Sequence, residues 1–177
     1  MSPEKEFAEY ENHENSVDDP EYVAYFRRFI DAAIRDYIAP GDIQCLDFGS
    51  GPEPVLAKVL ERDFGWSVDI YDKFYATPKV YEGRQYDLVT ATEVVEHFSD
   101  PLHYFRLFKK LLRPDGILSI MTQFHPAENE DFLNWFYIRD PSHIAFYAPK
   151  TMAVIAASLN LSILFCDDQR YITFAHA

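Results

Sequence analysis

The chain has 177 residues, with 16 Lys+Arg against 29 Asp+Glu and a formal net charge of −13. Hydrophobic residues make up 48% and charged ones 25%, ordinary values for a folded chain of single-domain length, and they exclude intrinsic disorder, a collagen-like repeat and a disulfide framework. The acidic balance sets aside nucleic acid, whose phosphates require a basic stripe, and an anionic membrane surface for the same reason.

The opening MSPEKEFAEYENHEN is acidic and polar, unlike a secretory or transit signal, and residues 1–17 are expected to form a mobile amino-terminal arm ahead of one domain over 18–177. Asp18-Asp19-Pro20-Glu21 predicts a helix start, with capping carboxylates, proline in the first turn and an acid at the positive dipole end. Val23, Phe26, Ile30, Ala33 and Tyr37 recur at helical spacing and give that helix one buried face, until Ala39-Pro40-Gly41 stops it. Ile43 to Phe48 is an apolar run of strand length, followed at once by the turn Gly49-Ser50-Gly51-Pro52 and a helix from Pro54 to near Gly65.

Trp66 to Tyr71 reads as a second strand ending at Asp72. Too little chain separates Asp72 from the next strand, Tyr86 to Ala91, for a crossover helix and a full strand, so a third strand is short, over Lys79 to Tyr81, or missing. Ser99-Asp100-Pro101 opens a helix that turns Leu102, Phe105, Phe108 and Leu112 inward, with Lys109, Lys110 and Arg113 near its negative end. After the turn Arg113-Pro114-Asp115-Gly116 comes a strand over Ile117 to Thr122, then a helix from Pro149 to about Leu159, then strands at Leu161 to Cys166 and Tyr171 to Phe174. Cys45 and Cys166, the only cysteines, lie in apolar runs and read as buried thiols. The most apolar stretch, Met152 to Cys166, is too short to cross a bilayer and carries Ser158, Asn160 and Ser162, so no membrane insertion is expected and a reducing cytoplasm is the expected compartment. Strands alternating with helices predict an α/β, mostly parallel sheet covered on both faces, which binds ligands beyond the carboxyl ends of its strands.

Three segments carry chemistry. In Leu46-Asp47-Phe48-Gly49-Ser50-Gly51-Pro52-Glu53-Pro54, glycines in a strand-to-helix turn let the backbone approach a ligand. Pro54 stands where a dinucleotide fingerprint needs its third glycine, and Asp47 is awkward beside a pyrophosphate, so the turn suits a cationic ligand better than an anionic one. Asp72 follows at the spacing of about 20 residues at which a strand-end acid accepts both hydroxyls of a ribose. Phe74 is then placed to cover an adenine face, though a core aromatic serves equally.

The third segment runs Tyr86-Asp87-Leu88-Val89-Thr90-Ala91-Thr92-Glu93-Val94-Val95-Glu96-His97-Phe98-Ser99-Asp100-Pro101. Together with LDFGSG, Asp72 and LLRPDGILSIMT (111–122), it resembles class I S-adenosylmethionine-dependent methyltransferases, in the subgroup of ubiquinone-biosynthesis O-methyltransferases with its EVxEH and DP signature. The resemblance implies a Rossmann-like methyltransferase fold of strand order 3-2-1-4-5-7-6 and S-adenosyl-L-methionine as cofactor. It implies that Asp47, Gly49 and Gly51 line the methionine end, Asp72 holds the ribose, and Ala91 and Thr92 close over the donor. Glu53 departs from the pattern by replacing the common third glycine.

Phe124, Phe132, Trp135, Phe136, Tyr137, Phe146 and Tyr147 crowd a cap segment at 124–147. This cap either packs on the sheet as a flap or roofs a substrate pocket, with Phe124, Trp135, Tyr137 and Tyr147 as the substrate-facing candidates. A hydroxyl acceptor loses a proton as the methyl arrives, so a base is useful. His97, His143 and the arm's His13, near Tyr10, compete for that role or are structural imidazoles; His143 and then His97 are preferred. Glu93, Glu96 and His97 lie close together, but the run lacks a second histidine and matches no metalloprotease pattern, so no metal is expected. The expected function is methyl transfer to a small molecule, at oxygen before nitrogen or carbon. The alternative is a catalytically inactive methyltransferase-like binding or regulatory subunit, while Pro54 and the EVxEH run disfavour a nicotinamide oxidoreductase.

Overall fold

In the computed structural model, which describes residues 17–177, the Asp19 carboxylate accepts from the N–H groups of Glu21 at 2.8 Å and Tyr22 at 3.3 Å. With Pro20 in the first turn, this cap starts helix α1, Pro20–Ala33. The expected arm, with Tyr10 and His13, lies outside the described residues except for Val17. Strand β1 (Gln44–Phe48) leads through the glycine turn to α2 (Val55–Phe64), which Gly65 ends in a left-handed cap. Then follow β2 (Ser67–Tyr71), β3 (Tyr86–Thr92), a 3₁₀ turn over Val95–His97, and α3 (Pro101–Leu111), capped by Asp100 onto the His103 N–H. Strand β4 (Leu112–Met121) leads into the cap segment with α4 (Asn129–Asn134) and a 3₁₀ turn over Phe136–Arg139. The chain finishes with α5 (Pro149–Leu159), β5 (Leu161–Cys166) and β6 (Tyr171–His176).

The six strands form one sheet in the order β2-β1-β3-β4-β6-β5. β1, β2, β3 and β4 pair in parallel, and β6 runs antiparallel between β4 and β5. This is the expected order without its third strand: among the described residues no strand stands between β2 and β3, and Lys79 to Tyr81 belong to a turn. Two details depart from expectation. Strand β4 starts at Leu112, ahead of the Arg113 to Gly116 turn read from sequence, and the pairing passes from Tyr86–Leu112 to Leu88–Ile117, so these four residues bulge out of the ladder. Leu102, expected to face inward, is 38% exposed on α3.

Each face of the sheet carries its own hydrophobic layer. One holds Phe105, Phe108, Met152 and Ile155 against Val89, Leu118 and Ile120; the other holds Phe26, Ile30, Leu56 and Leu60 against Leu88, Ile117 and Met121. Alternation along β3 and β4 supplies both layers from the same strands. The carbonyl of Ala33, a helix-end acceptor without an intrahelical partner, accepts from Ser119 Oγ at 3.0 Å and Thr173 Oγ1 at 2.5 Å, which fixes that end of α1 to the buried sheet. The chain crosses from β1 to β2 on one side and to β3 on the other, so the crevice beyond their carboxyl ends is the expected ligand position.

Candidate active site

The turn after β1 closes onto β2. The Gly49 and Ser50 N–H groups donate to the Tyr71 carbonyl at 2.7 and 3.2 Å. Gly49 has φ +85, and a Cβ there would stand 2.2 Å from Val94 Cγ2, so only glycine fits. Gly51 has φ +68 but nothing within 4 Å of where a Cβ would stand, which leaves an open cradle at the mouth. Its N–H donates to Asp72 Oδ2 at 3.0 Å, while Asp72 Oδ1 accepts from the Phe74 and Tyr75 N–H groups at 2.8 and 3.1 Å. A carboxylate offers about four lone-pair sites, so Asp72, half-buried, keeps acceptor capacity.

Phe74 is half-exposed beside Asp72, and Lys73 Nζ lies 4.9 Å from its ring centroid. Asp47 lies beneath the turn rather than on its surface: it is 2% exposed and accepts the Thr90 hydroxyl at 3.0 Å. Burial pushes its carboxyl up to about 7, against the lowering effect of that hydrogen bond. Ala91 is fully buried and Thr92 half-buried at the end of β3.

Beyond Thr92 stands a polar cluster. Glu93 has φ +53, a left-handed backbone unusual for a residue with a side chain, and its N–H donates to the Met121 carbonyl at 2.8 Å. Its Oε1 accepts the Tyr25 hydroxyl at 2.9 Å, and its Oε2 lies 2.7 Å from the Tyr137 hydroxyl. That same hydroxyl contacts Glu96 Oε1, and Thr122 Oγ1 donates to Glu96 Oε2 at 3.0 Å. One phenol proton faces two carboxyls, so one of them holds a proton of its own. Glu96 is fully buried, and desolvation, then the charge of Glu93, raises its carboxyl well above the ordinary carboxylate range.

The two favoured histidines meet here, with ring centroids 4.9 Å apart. His97 Nδ1 lies 3.0 Å from the Ser142 carbonyl, and His143 Nδ1 lies 2.8 Å from the Tyr137 carbonyl. A carbonyl only accepts, so both rings carry their proton on Nδ1 and Nε2 is the basic nitrogen. His143 Nε2 also faces Asp140 Oδ2 at 3.5 Å. Donor atoms of Glu96, His97 and His143 all lie within 4.8 Å of one another. The second histidine that the EVxEH run lacks is supplied by the cap, giving a set of nitrogen and oxygen donors with the composition of a divalent-cation site.

The cap residues divide. Phe124 and Tyr147 are buried and pair with each other through an isolated parallel bridge, and the Tyr147 hydroxyl donates to the Val95 carbonyl at 2.8 Å. Tyr137 is buried with its hydroxyl in the carboxyl cluster, and half-buried Trp135 packs on it at 4.9 Å. Sequence reasoning missed Tyr22 and Tyr25, which α1 carries to the mouth. Desolvation and the charges of Glu93 and Asp47 raise Tyr22 to about 12. Tyrosines adjoining an apolar helical stripe were the available signal.

Residues 22–164 match the model of a family described as methyltransferase domain. The ubiquinone biosynthesis O-methyltransferase of Dinoroseobacter shibae is 40% identical over 76 residues, covering 43% of this chain and 30% of that protein. The enzyme of that name from Actinobacillus pleuropneumoniae serotype 5b is 31% identical over 81 residues, covering 44% and 34%. The chain thus spans only about a third of the length of these curated relatives. Among solved structures, mitomycin 7-O-methyltransferase MmcR superposes with TM-score 0.63 at 14% identity, over 90% of this chain and 59% of the other. CalO1, a calicheamicin-biosynthesis methyltransferase in its SAH-bound form, gives 0.63 at 13% identity, over 89% and 55%. At these identities the likeness establishes the fold.

Proposed function

The chain belongs to this methyltransferase-domain family, and we propose that it transfers a methyl group from S-adenosyl-L-methionine to a small-molecule acceptor, at oxygen before nitrogen or carbon. The observation that carries this reading is the Gly51–Asp72 unit beyond the ends of β1 and β2, with Glu93, Glu96, His97 and His143 gathered beyond the end of neighbouring β3. The residues fit the cofactor. Gly51 leaves room where a Cβ would intrude, Asp72 keeps acceptor capacity for hydroxyls, and the acids around the mouth suit a cation. Asp72 would hold the ribose, with Gly49, Gly51 and Thr92 lining the rest and Phe74 beside Asp72, while Ala91, fully buried, lies in the core behind them. When bound, the cofactor supplies a methyl group on an electrophilic sulfonium.

The protein's own work is alignment, exclusion of water and removal of a proton. Trp135 and Tyr137, packed on each other in the cap, would narrow the approach, while Phe124 and Tyr147 bridge to each other. His143, its Nδ1 held by the Tyr137 carbonyl, offers Nε2 to the acceptor's proton, and His97 stands beside it. Asp47, buried at the end of β1, ties that strand to β3 through the Thr90 hydroxyl.

A second reading is favoured by one observation, the convergence of Glu96, His97 and His143 within 4.8 Å. There a divalent cation would polarise the acceptor hydroxyl, and the histidines would be ligands instead of bases. Calorimetry with S-adenosylhomocysteine tests the cofactor assignment. A measurable heat is expected with it and none with NADH, and a silent titration of folded protein overturns the proposal.

A further inference from the structure

The methyl-transfer reading leaves Tyr25 without a task. It stands 68 positions before Glu93, and its hydroxyl reaches that carboxylate at 2.9 Å from helix α1. The other Glu93 oxygen is 2.7 Å from Tyr137 of the cap. Both carboxylate oxygens are thus held by phenols from the two elements that flank the mouth. The backbone under them is already in a costly left-handed conformation.

The contacts continue past Tyr137. Its carbonyl holds His143 Nδ1 at 2.8 Å, and its ring centroid lies 4.0 Å from the imidazole. Tyr25 is itself well placed to bear on this chain. It packs parallel to Tyr22 (6.1 Å between centroids, 9°) and edge-on to Phe26, and the far end of its helix is fixed through the Ala33 carbonyl. Through Glu93 and Tyr137, a hydroxyl on α1 reaches the ring that the proposed chemistry needs.

We infer that Tyr25 is a positioning residue, which acts through Glu93 and Tyr137 to set the orientation of the His143 imidazole. The importance of that ring rests on the methyl-transfer reading; the positional relay rests on the contacts alone. A bond that merely added stability to α1 would leave the ring where it is.

Imidazole ¹⁵N–¹H correlation spectra of the full chain distinguish the two, with His143 signals assigned by their loss in His143→Gln. Tyr25→Phe, which deletes only the hydroxyl, is expected to shift or broaden the His143 signals and leave those of His125 and His176 in place. Glu93→Gln is expected to do the same, and the double variant to add nothing further, because both changes break one chain of contacts. If Glu93→Gln does not fold, Tyr137→Phe takes its place in the cycle. Tyr25→Phe spectra that superpose on wild type, or effects that add in the double variant, overturn the inference. S-adenosylhomocysteine calorimetry run in parallel keeps the two claims apart: a wild-type protein that binds none sinks the methyl-transfer reading and leaves the imidazole result standing.

Discussion

The Gly51 N–H donates to Asp72 Oδ2 at 3.0 Å across 21 residues of chain, so the glycine turn and the strand-end acid form one unit. With S-adenosylhomocysteine at a hundredfold over its dissociation constant, linkage adds about 2.7 kcal/mol of stability. For a chain of this size that raises Tm by about 5–10 °C. Asp72→Ala is expected to abolish the rise. Loss of the acceptor for three backbone N–H groups is also expected to lower its ligand-free stability by about 1–3 kcal/mol. Differential scanning fluorimetry with and without ligand reads both effects, and a normal ligand shift in the variant removes Asp72 from the site.

Gly49 and Gly51 both have positive φ but predict opposite phenotypes. Gly49→Ala puts a methyl 2.2 Å from Val94 Cγ2 and is expected to unfold the turn, with Val94→Ala relieving the clash but not the backbone strain. Gly51→Ala meets no protein atom, so it is expected to cost only about 1–2 kcal/mol of αL strain. Its loss is expected in ligand affinity instead. Urea melts and calorimetry on the pair separate these outcomes.

Asp47 predicts a pH dependence. Its carboxyl, ordinarily at 3.8, is raised to about 7 in the fold. Between those values the folded state binds the proton that the unfolded state has released, so this residue's contribution to stability falls as pH rises from about 4 to about 7 and is level above. Asp47→Asn keeps an acceptor for the Thr90 hydroxyl and is expected to flatten that part of the profile. Urea midpoints for both proteins across this range give the difference; parallel profiles mean that Asp47 titrates normally.

His143→Gln is expected to keep the heat of S-adenosylhomocysteine binding and to slow methyl transfer by at least about tenfold, toward the range of 10²–10⁴ seen for general bases. The assay follows S-adenosylhomocysteine release with a panel of hydroxylated acceptors that the wild type methylates. Unchanged release excludes His143 from the proton's path.

The cation reading carries its own measurement. If Glu96, His97 and His143 hold a divalent ion, a chelator abolishes methyl transfer, Mg²⁺ or Mn²⁺ restores it, and His97→Ala weakens the ion's binding in calorimetry. Full activity in the chelator selects the base.

Much of the architecture is legible because periodicity is a local signal. Val23, Phe26 and Ile30 mark the buried face of α1, and the short span after Asp72 announces the missing strand. The polar cluster is not local. His143 joins His97 and Glu96 only when the cap folds back, and no spacing within EVxEH reveals a histidine supplied from so far along the chain. Tyr25 adjoins the apolar stripe of α1, and its sequence neighbours do not show that it points toward Glu93. Burial of Asp47 beneath its own turn likewise depends on β3 bringing up Thr90.

Leu88 packs into one hydrophobic layer and Val89 into the other. A slide of β3 by a single position would exchange the two sets and turn every side chain on that strand to the opposite face, Glu93's neighbours included. Packing far from any ligand therefore sets the aim of the acids at the strand's tip.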